Sequence, residues 1–198
     1  MEEEIVAMLP PFVRAEWDAV LAQIYEVFAD TKLGDGTSWL ESMELDGNDR
    51  NDLAAVEREK DKDRPWQELA DDPEWSPELG WGGWAFLDDK AFCFYLPAAM
   101  VRCLRECHDA GVGYWITCGS PTHSLLNLGQ HQCLRRWAQL MLAVSAFTST
   151  DEVALWIEIL ESDFLEGKLV SNVIAEKLGL GWRLMPQEAW SSSRTDVA

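Results

Sequence analysis

Between Arg14 and Asp30 the apolar residues Trp17, Val20, Leu21, Ile24, Val27 and Phe28 recur at intervals of three or four. That spacing lines one side of a helix, and Glu16 and Asp18 near its start suit the positive end of the helix dipole. Gly34-Asp35-Gly36 then breaks the pattern. From Glu41 to Arg64 acids and bases alternate, as on an exposed face, and a short helix is expected from about Asp49 to Lys60. Pro65 to Gly83 reads as a loop rich in proline, glycine and aspartate. Trp66, Trp75, Trp81 and, just beyond, Trp84 would anchor it, since each ring buries a large apolar area.

The densest apolar stretch is Phe86 to Met100, running on to Gly111, with Pro97 in its middle. A proline inside a helical pattern removes an N–H and clashes with the preceding turn. The expected arrangement is therefore a helix over 88–95 and a second one opened by Pro97, with Leu96, Met100, Leu104 and Cys107 on one face and Gly111 as its stop. Val112–Thr117 is β-prone and aromatic, and reads as a short strand near Tyr114. Cys118-Gly119-Ser120-Pro121 is a turn. Cys133 to Phe147 is apolar on most sides, which marks a buried helix. Ser149-Thr150-Asp151-Glu152 has the spacing of a capping box, and the helix it opens carries Val153, Trp156, Ile157 and Leu160 inward. A last helix is expected over 168–178, ended by Gly179, with a flexible tail over 186–198. The fold predicted is mainly α: one domain over 1–198, a bundle of five or six helices, with room for one short strand or hairpin.

Charge narrows the classes of function. The chain carries 35 Asp and Glu against 16 Lys and Arg, a formal net charge of −19. Such a surface repels phosphate, which argues against nucleic acid as a ligand and suits a basic protein partner. The opening Met1-Glu2-Glu3-Glu4 is acidic where a signal peptide is basic, and no apolar run reaches the roughly 18 residues of a spanning helix. Five cysteines without an export signal predict free thiols in a reducing cytoplasm.

Phe86-Leu87-Asp88-Asp89-Lys90-Ala91-Phe92-Cys93-Phe94-Tyr95-Leu96-Pro97-Ala98 resembles the FL-x-x-x-AF-x-x-YLPA signature of a family of small bacterial domains of unknown function. In that family an amphipathic helix leads to a charged segment with a Trp-x-x-Leu element, a place Trp66-Gln67-Glu68-Leu69 would fill. A late helix opened as at Ser149–Leu160 is also similar. The resemblance covers about Glu16 to Leu160 and implies an α-rich fold, with no reaction attached. By analogy, related small acidic domains act as immunity proteins beside secreted toxins.

Three kinds of chemistry compete for the remaining residues. Cys103, Cys107 and His108, with Cys118, His123, His131 and Cys133, supply thiols and imidazoles for a zinc site or a thiol nucleophile with its base. The close Cys-x-x-Cys pairs of structural zinc are missing, and Cys107 falls on the apolar face, so neither metal nor cofactor is expected. Asp46, Asn48 and Glu57 match part of a calcium loop, but Arg50 stands where an oxygen ligand is needed and Asn51 where glycine makes the turn. The acidic segment over 41–64, ending against Trp66, would serve an inhibitor of a basic enzyme, because charge steers encounter and aromatic rings supply hot spots. The expectation is a non-enzymatic acidic binding protein of immunity type, with Asp46, Asp49, Asp52, Glu57, Glu59, Asp61, Asp63 and Trp66 at the contact. The alternatives are a metal or thiol enzyme over 103–133, and a structural or regulatory subunit docking through the apolar loop over 75–84.

Overall fold

Pro10 and Pro11 open the first helix: a proline has no N–H to lose in a first turn, and its φ is already near the helical value. The structure, a computed structural model, describes residues 7, 9–45, 51–78, 82–117, 125–148 and 150–161. Among these residues the regular elements are all helices: α1 Pro11–Val27, α2 Trp39–Leu45, α3 Asn51–Asp61, α4 Trp66–Asp71, α5 Gly82–Ala85, α6 Asp89–Glu106, α7 Val112–Thr117, α8 Leu128–Thr148 and α9 Thr150–Glu161. The mainly helical bundle is as the apolar spacing predicts. The surplus over five or six helices is made of the short ones, α2, α4, α5 and α7. The helix expected over 168–178 and the tail over 186–198 lie outside the described residues.

α6 is the axis of the core. Every side chain from Ala91 to Val101 is buried, Pro97 included. The break expected at that proline does not occur, and 89–106 is one helix. The ring's φ suits a helix, so Pro97 forfeits one N–H without forcing a turn, and burial of both flanks supplies the packing that holds the helix together. Nor does Gly111 end it. Cys107 takes the left-handed conformation at φ 53, His108 N–H bonds Cys103 O at 3.1 Å, and Cys107 N–H bonds Leu104 O at 3.0 Å. That is the Schellman closure, built on a cysteine where glycine is usual.

α1 lays Val13, Trp17, Val20 and Ile24 inward and packs on α6 and α8. α8 starts five residues earlier than expected, because Asn127 and Gln130 cap it reciprocally: each backbone N–H bonds the other's side-chain oxygen at 3.0 Å. Arg136 on α8 grips Glu16 of α1 through two nitrogens and bonds Gln23 at 2.8 Å. α9 packs on α8, where Trp156 meets Trp137 edge-on with ring centroids 5.1 Å apart.

The strand expected over 112–117 is a helix, α7. Among the described residues no strand is present to pair with it, whereas the buried Asp109 carboxylate accepts the N–H of Gly113 at 2.7 Å and holds a helical turn. α7 lies so close to α9 that a Cβ on Gly113 would stand 2.5 Å from Ile159 Cδ1.

Candidate functional site

α2 and α3 pack together as a hairpin over the acidic segment. Ser38 and Glu41 form a reciprocal cap at the start of α2: Glu41 N–H bonds Ser38 Oγ at 3.2 Å, and Ser38 N–H bonds Glu41 Oε2 at 3.0 Å. The two remaining free amides of that turn reach distant residues. Trp39 N–H bonds the Tyr95 hydroxyl at 2.7 Å, and Leu40 N–H bonds Asp61 Oδ2 at 3.0 Å. Arg58 of α3 points inward, to the carbonyls of Gly36 and Gly34 (3.1 Å for the latter) and to Glu41 Oε2 at 2.7 Å. The inner side of α3 is thus Ala54, Arg58 and Asp61.

Its outer side is turned to water. Asp52, Leu53, Ala55, Val56, Glu59 and Lys60 are exposed, Leu53 by 52% and Val56 by 56%. Glu57 pairs with Lys60, and Glu59 pairs with Lys62 at 2.7 Å. Asp63 is exposed just beyond the helix. Two apolar side chains standing in water among carboxylates form the candidate surface.

Of the eight expected contact residues, Asp52, Glu57, Glu59 and Asp63 share this face, while Asp46 and Asp49 lie outside the described residues. Asp61 and Trp66 do not belong to it. Asp61 is buried beneath α2 as a helix cap, and its burial raises its pKa despite the bonds from Ser38 and Leu40 and the charge of Arg64. Trp66 is fully buried, its Nε1 donating to Phe28 O at 2.9 Å. The apolar members that spacing did not single out are Leu53 and Val56. The run Leu53-Ala54-Ala55-Val56 held them, but the inward placement of Ala54, Arg58 and Asp61 decides which side of the helix they occupy.

The tryptophan loop likewise turns inward. Trp75 and Trp84 are buried around Trp39, with centroids 5.4 and 5.5 Å from its ring. This removes the apolar docking surface expected there from the described part of 75–84. The stretch around Tyr95 is likewise committed to the fold. Asp88 caps α6 through Ala91 N–H at 2.9 Å and holds Thr37 N–H at 2.9 Å, Phe92 packs on Trp84, and Tyr95 caps α2.

The Cys/His candidates are divided. Cys103 is fully buried and donates to Asp109 O at 3.0 Å; burial, reinforced by Asp109 and Glu106, pushes its thiol well above the usual range. Burial likewise pushes Cys133 up to about 12. With no metal present both thiols therefore hold their protons, where a thiol nucleophile must lose its own. Cys107 is buried in the left-handed turn, and His108 lies between Glu78 and Glu152. Cys118 and His123 lie outside the described residues, as do Asp46, Asn48 and Arg50 of the partial calcium loop. Among the described residues no three of His, Cys, Asp or Glu converge as a metal-binding group.

These features describe a helical domain whose buried axis is residues 91–101 of α6 and whose α3 turns Leu53 and Val56 to water beside carboxylates. The chain belongs to the Family of unknown function (DUF6714), whose model matches residues 16–168, from within α1 to beyond α9. No curated protein and no solved structure matches it.

Proposed function

We propose that this protein is a non-enzymatic binding protein, an immunity-type inhibitor that presents the outer face of α3 to a basic toxin or effector. The observation that carries the reading is the pair Leu53 and Val56, each more than half exposed on a face that also bears Asp52, Glu57 and Glu59. Apolar groups kept in water beside carboxylates make the centre and rim of a small contact: the apolar pair contributes affinity, the acids steer approach. The net charge of −19 works in the same direction at long range. A cytoplasmic site of action fits the buried Cys93, Cys103, Cys107 and Cys133, which are not joined in disulfides. Among the described residues no helix is long and apolar enough to cross a membrane.

The test is capture of partners from the native lysate at low salt, followed by kinetics on whatever basic protein is retained. Replacing Asp52, Glu57, Glu59 and Asp63 together by lysine should slow association by about tenfold or more and flatten its salt dependence. Val56→Asp should act on dissociation, since it removes an anchor instead of the steering field. Unchanged kinetics in both variants would exclude α3 as the contact.

A further inference from the structure

His108 follows the left-handed turn at Cys107 and stands where the end of α6, the 72–78 loop and the start of α9 meet. Its Nδ1 lies 2.6 Å from Glu152 Oε1, and its Nε2 lies 2.8 Å from Glu78 Oε1. A neutral imidazole carries one N–H; its other nitrogen presents a lone pair, which cannot bond a carboxylate oxygen. Only the imidazolium donates from both nitrogens, so the two contacts coexist only when His108 is charged.

From this geometry we infer that His108 is a pH-operated strap, which pins the 72–78 loop to α9 when protonated and releases Glu78 when it loses its proton. Glu78 is the partner that leaves because it is half exposed and water can replace the bond, whereas the Glu152 side chain is 15% exposed and also held by Ser145 Oγ at 3.2 Å. The other groups around the ring work the same way. Asp109, the next residue, is buried and interacts with both His108 and Glu152; Glu106 ends α6 and pairs with Arg102 at 2.6 Å; the Cys103 thiol lies within the field of all four carboxylates. Neutral His108 thus leaves Glu78 and Glu152 facing each other across an uncharged ring, with Asp109 beside them. Burial pulls the imidazole's pKa down, but the bonds and charges of Glu152 and Glu78 outweigh it and hold it above its ordinary value.

The strap governs a cover. Pro77, the neighbour of Glu78, accepts the Trp84 Nε1–H at 3.0 Å, and Trp75 of the same loop packs on Trp39 and Tyr95. Freed at Glu78, the loop keeps its rings but loses its outer tether.

The test is a proton NMR titration of the full chain, with the His108 ring signals assigned by their loss in His108→Gln, alongside hydrogen exchange of the Glu74, Trp75, Ser76 and Glu78 amides corrected for base catalysis. The ring should titrate above the free imidazole value of about 6.5. Loop protection should fall over the same window by roughly twofold to fivefold, what a half-exposed ion pair supplies. In Glu78→Gln that fall should vanish and the ring should titrate lower than in the wild type. A wild-type ring titrating at or below the free value overturns the strap, and so does a loop whose protection falls equally in Glu78→Gln. If His108→Gln does not fold, the His108 ring is assigned by elimination, from the signals lost in His123→Gln and in His131→Gln, and the wild-type titration still decides the matter.

Discussion

Tyr95 shows how much can rest on one oxygen. Its hydroxyl is buried and accepts the Trp39 N–H at 2.7 Å, so α6 caps α2 across the core. Tyr95→Phe keeps the ring and strands that N–H in a dry place, which costs about 1–3 kcal/mol. Urea unfolding checks it: the midpoint should drop with the slope unchanged. Gly113→Ala tests sterics instead. Alanine is the better helix former by about 1 kcal/mol, yet its Cβ would stand 2.5 Å from Ile159 Cδ1 and 2.9 Å from Asp109 Oδ1. Crowding of that kind costs roughly 1–3 kcal/mol, so the variant should be less stable, and Ile159→Val added to it should recover part of the loss. Neither role was legible in the sequence. The signature marked Tyr95 as part of a dense motif without indicating that its hydroxyl was committed to a cap. Gly113 lay inside a stretch whose β-branched and aromatic neighbours pointed to a strand.

Among elements, legibility follows length. α1, α8 and α9 are long enough for their apolar spacing to show, and their inward residues Trp17, Val20, Ile24, Leu134, Trp137 and Trp156 are the ones the pattern gave. α2 and α7 have seven and six residues, too few for periodicity to tell helix from strand, and each is held by a carboxylate distant from it or just before it: Asp61 for α2, Asp109 for α7. Pro97 misled for a related reason, since its effect depends on the burial around it and not on the proline alone. α3 was read as a helix, but alternating charge hid its inner side. Arg58 looks like one more surface base and is in fact the hook that holds α3 to the 34–36 turn and to Glu41. Arg58→Gln removes the charge and the fork together, and should cost about 1.5–3 kcal/mol, as lost hydrogen bonds to charged groups do. Hydrogen exchange should show α3 amides opening before those of α6, because the hairpin touches the core mainly through α2.

On the scale of the molecule, pH and salt should act in a predictable sense. Burial raises the pKa of Asp109 and of Asp61, and the two glutamates raise that of His108. In each case the folded chain holds its proton to higher pH than the unfolded one. The stability from such a group is complete below the unfolded pKa and is lost as pH rises through the folded one. For the aspartates that window starts near the free value of about 3.9, and for His108 near about 6.5. Asp35 and Asp72 work in the opposite sense, held low chiefly by the hydrogen bonds from Lys90 and Arg64. Asp35 lies in water, where solvent screens most of its contribution, and Asp72 stands near the surface. Meanwhile 35 acids face 16 bases, and their mutual repulsion grows as the last protons leave. Urea unfolding should therefore find the protein more stable at about pH 6 than at about pH 8, with His108→Gln shrinking the difference. Raising salt from about 20 to 200 mM should increase stability at both, because it shortens the range over which the acids repel. A loss of stability with salt would mean that pairs such as Arg136–Glu16 and Arg58–Glu41 outweigh that repulsion, and the net charge would then say little about how the fold is held.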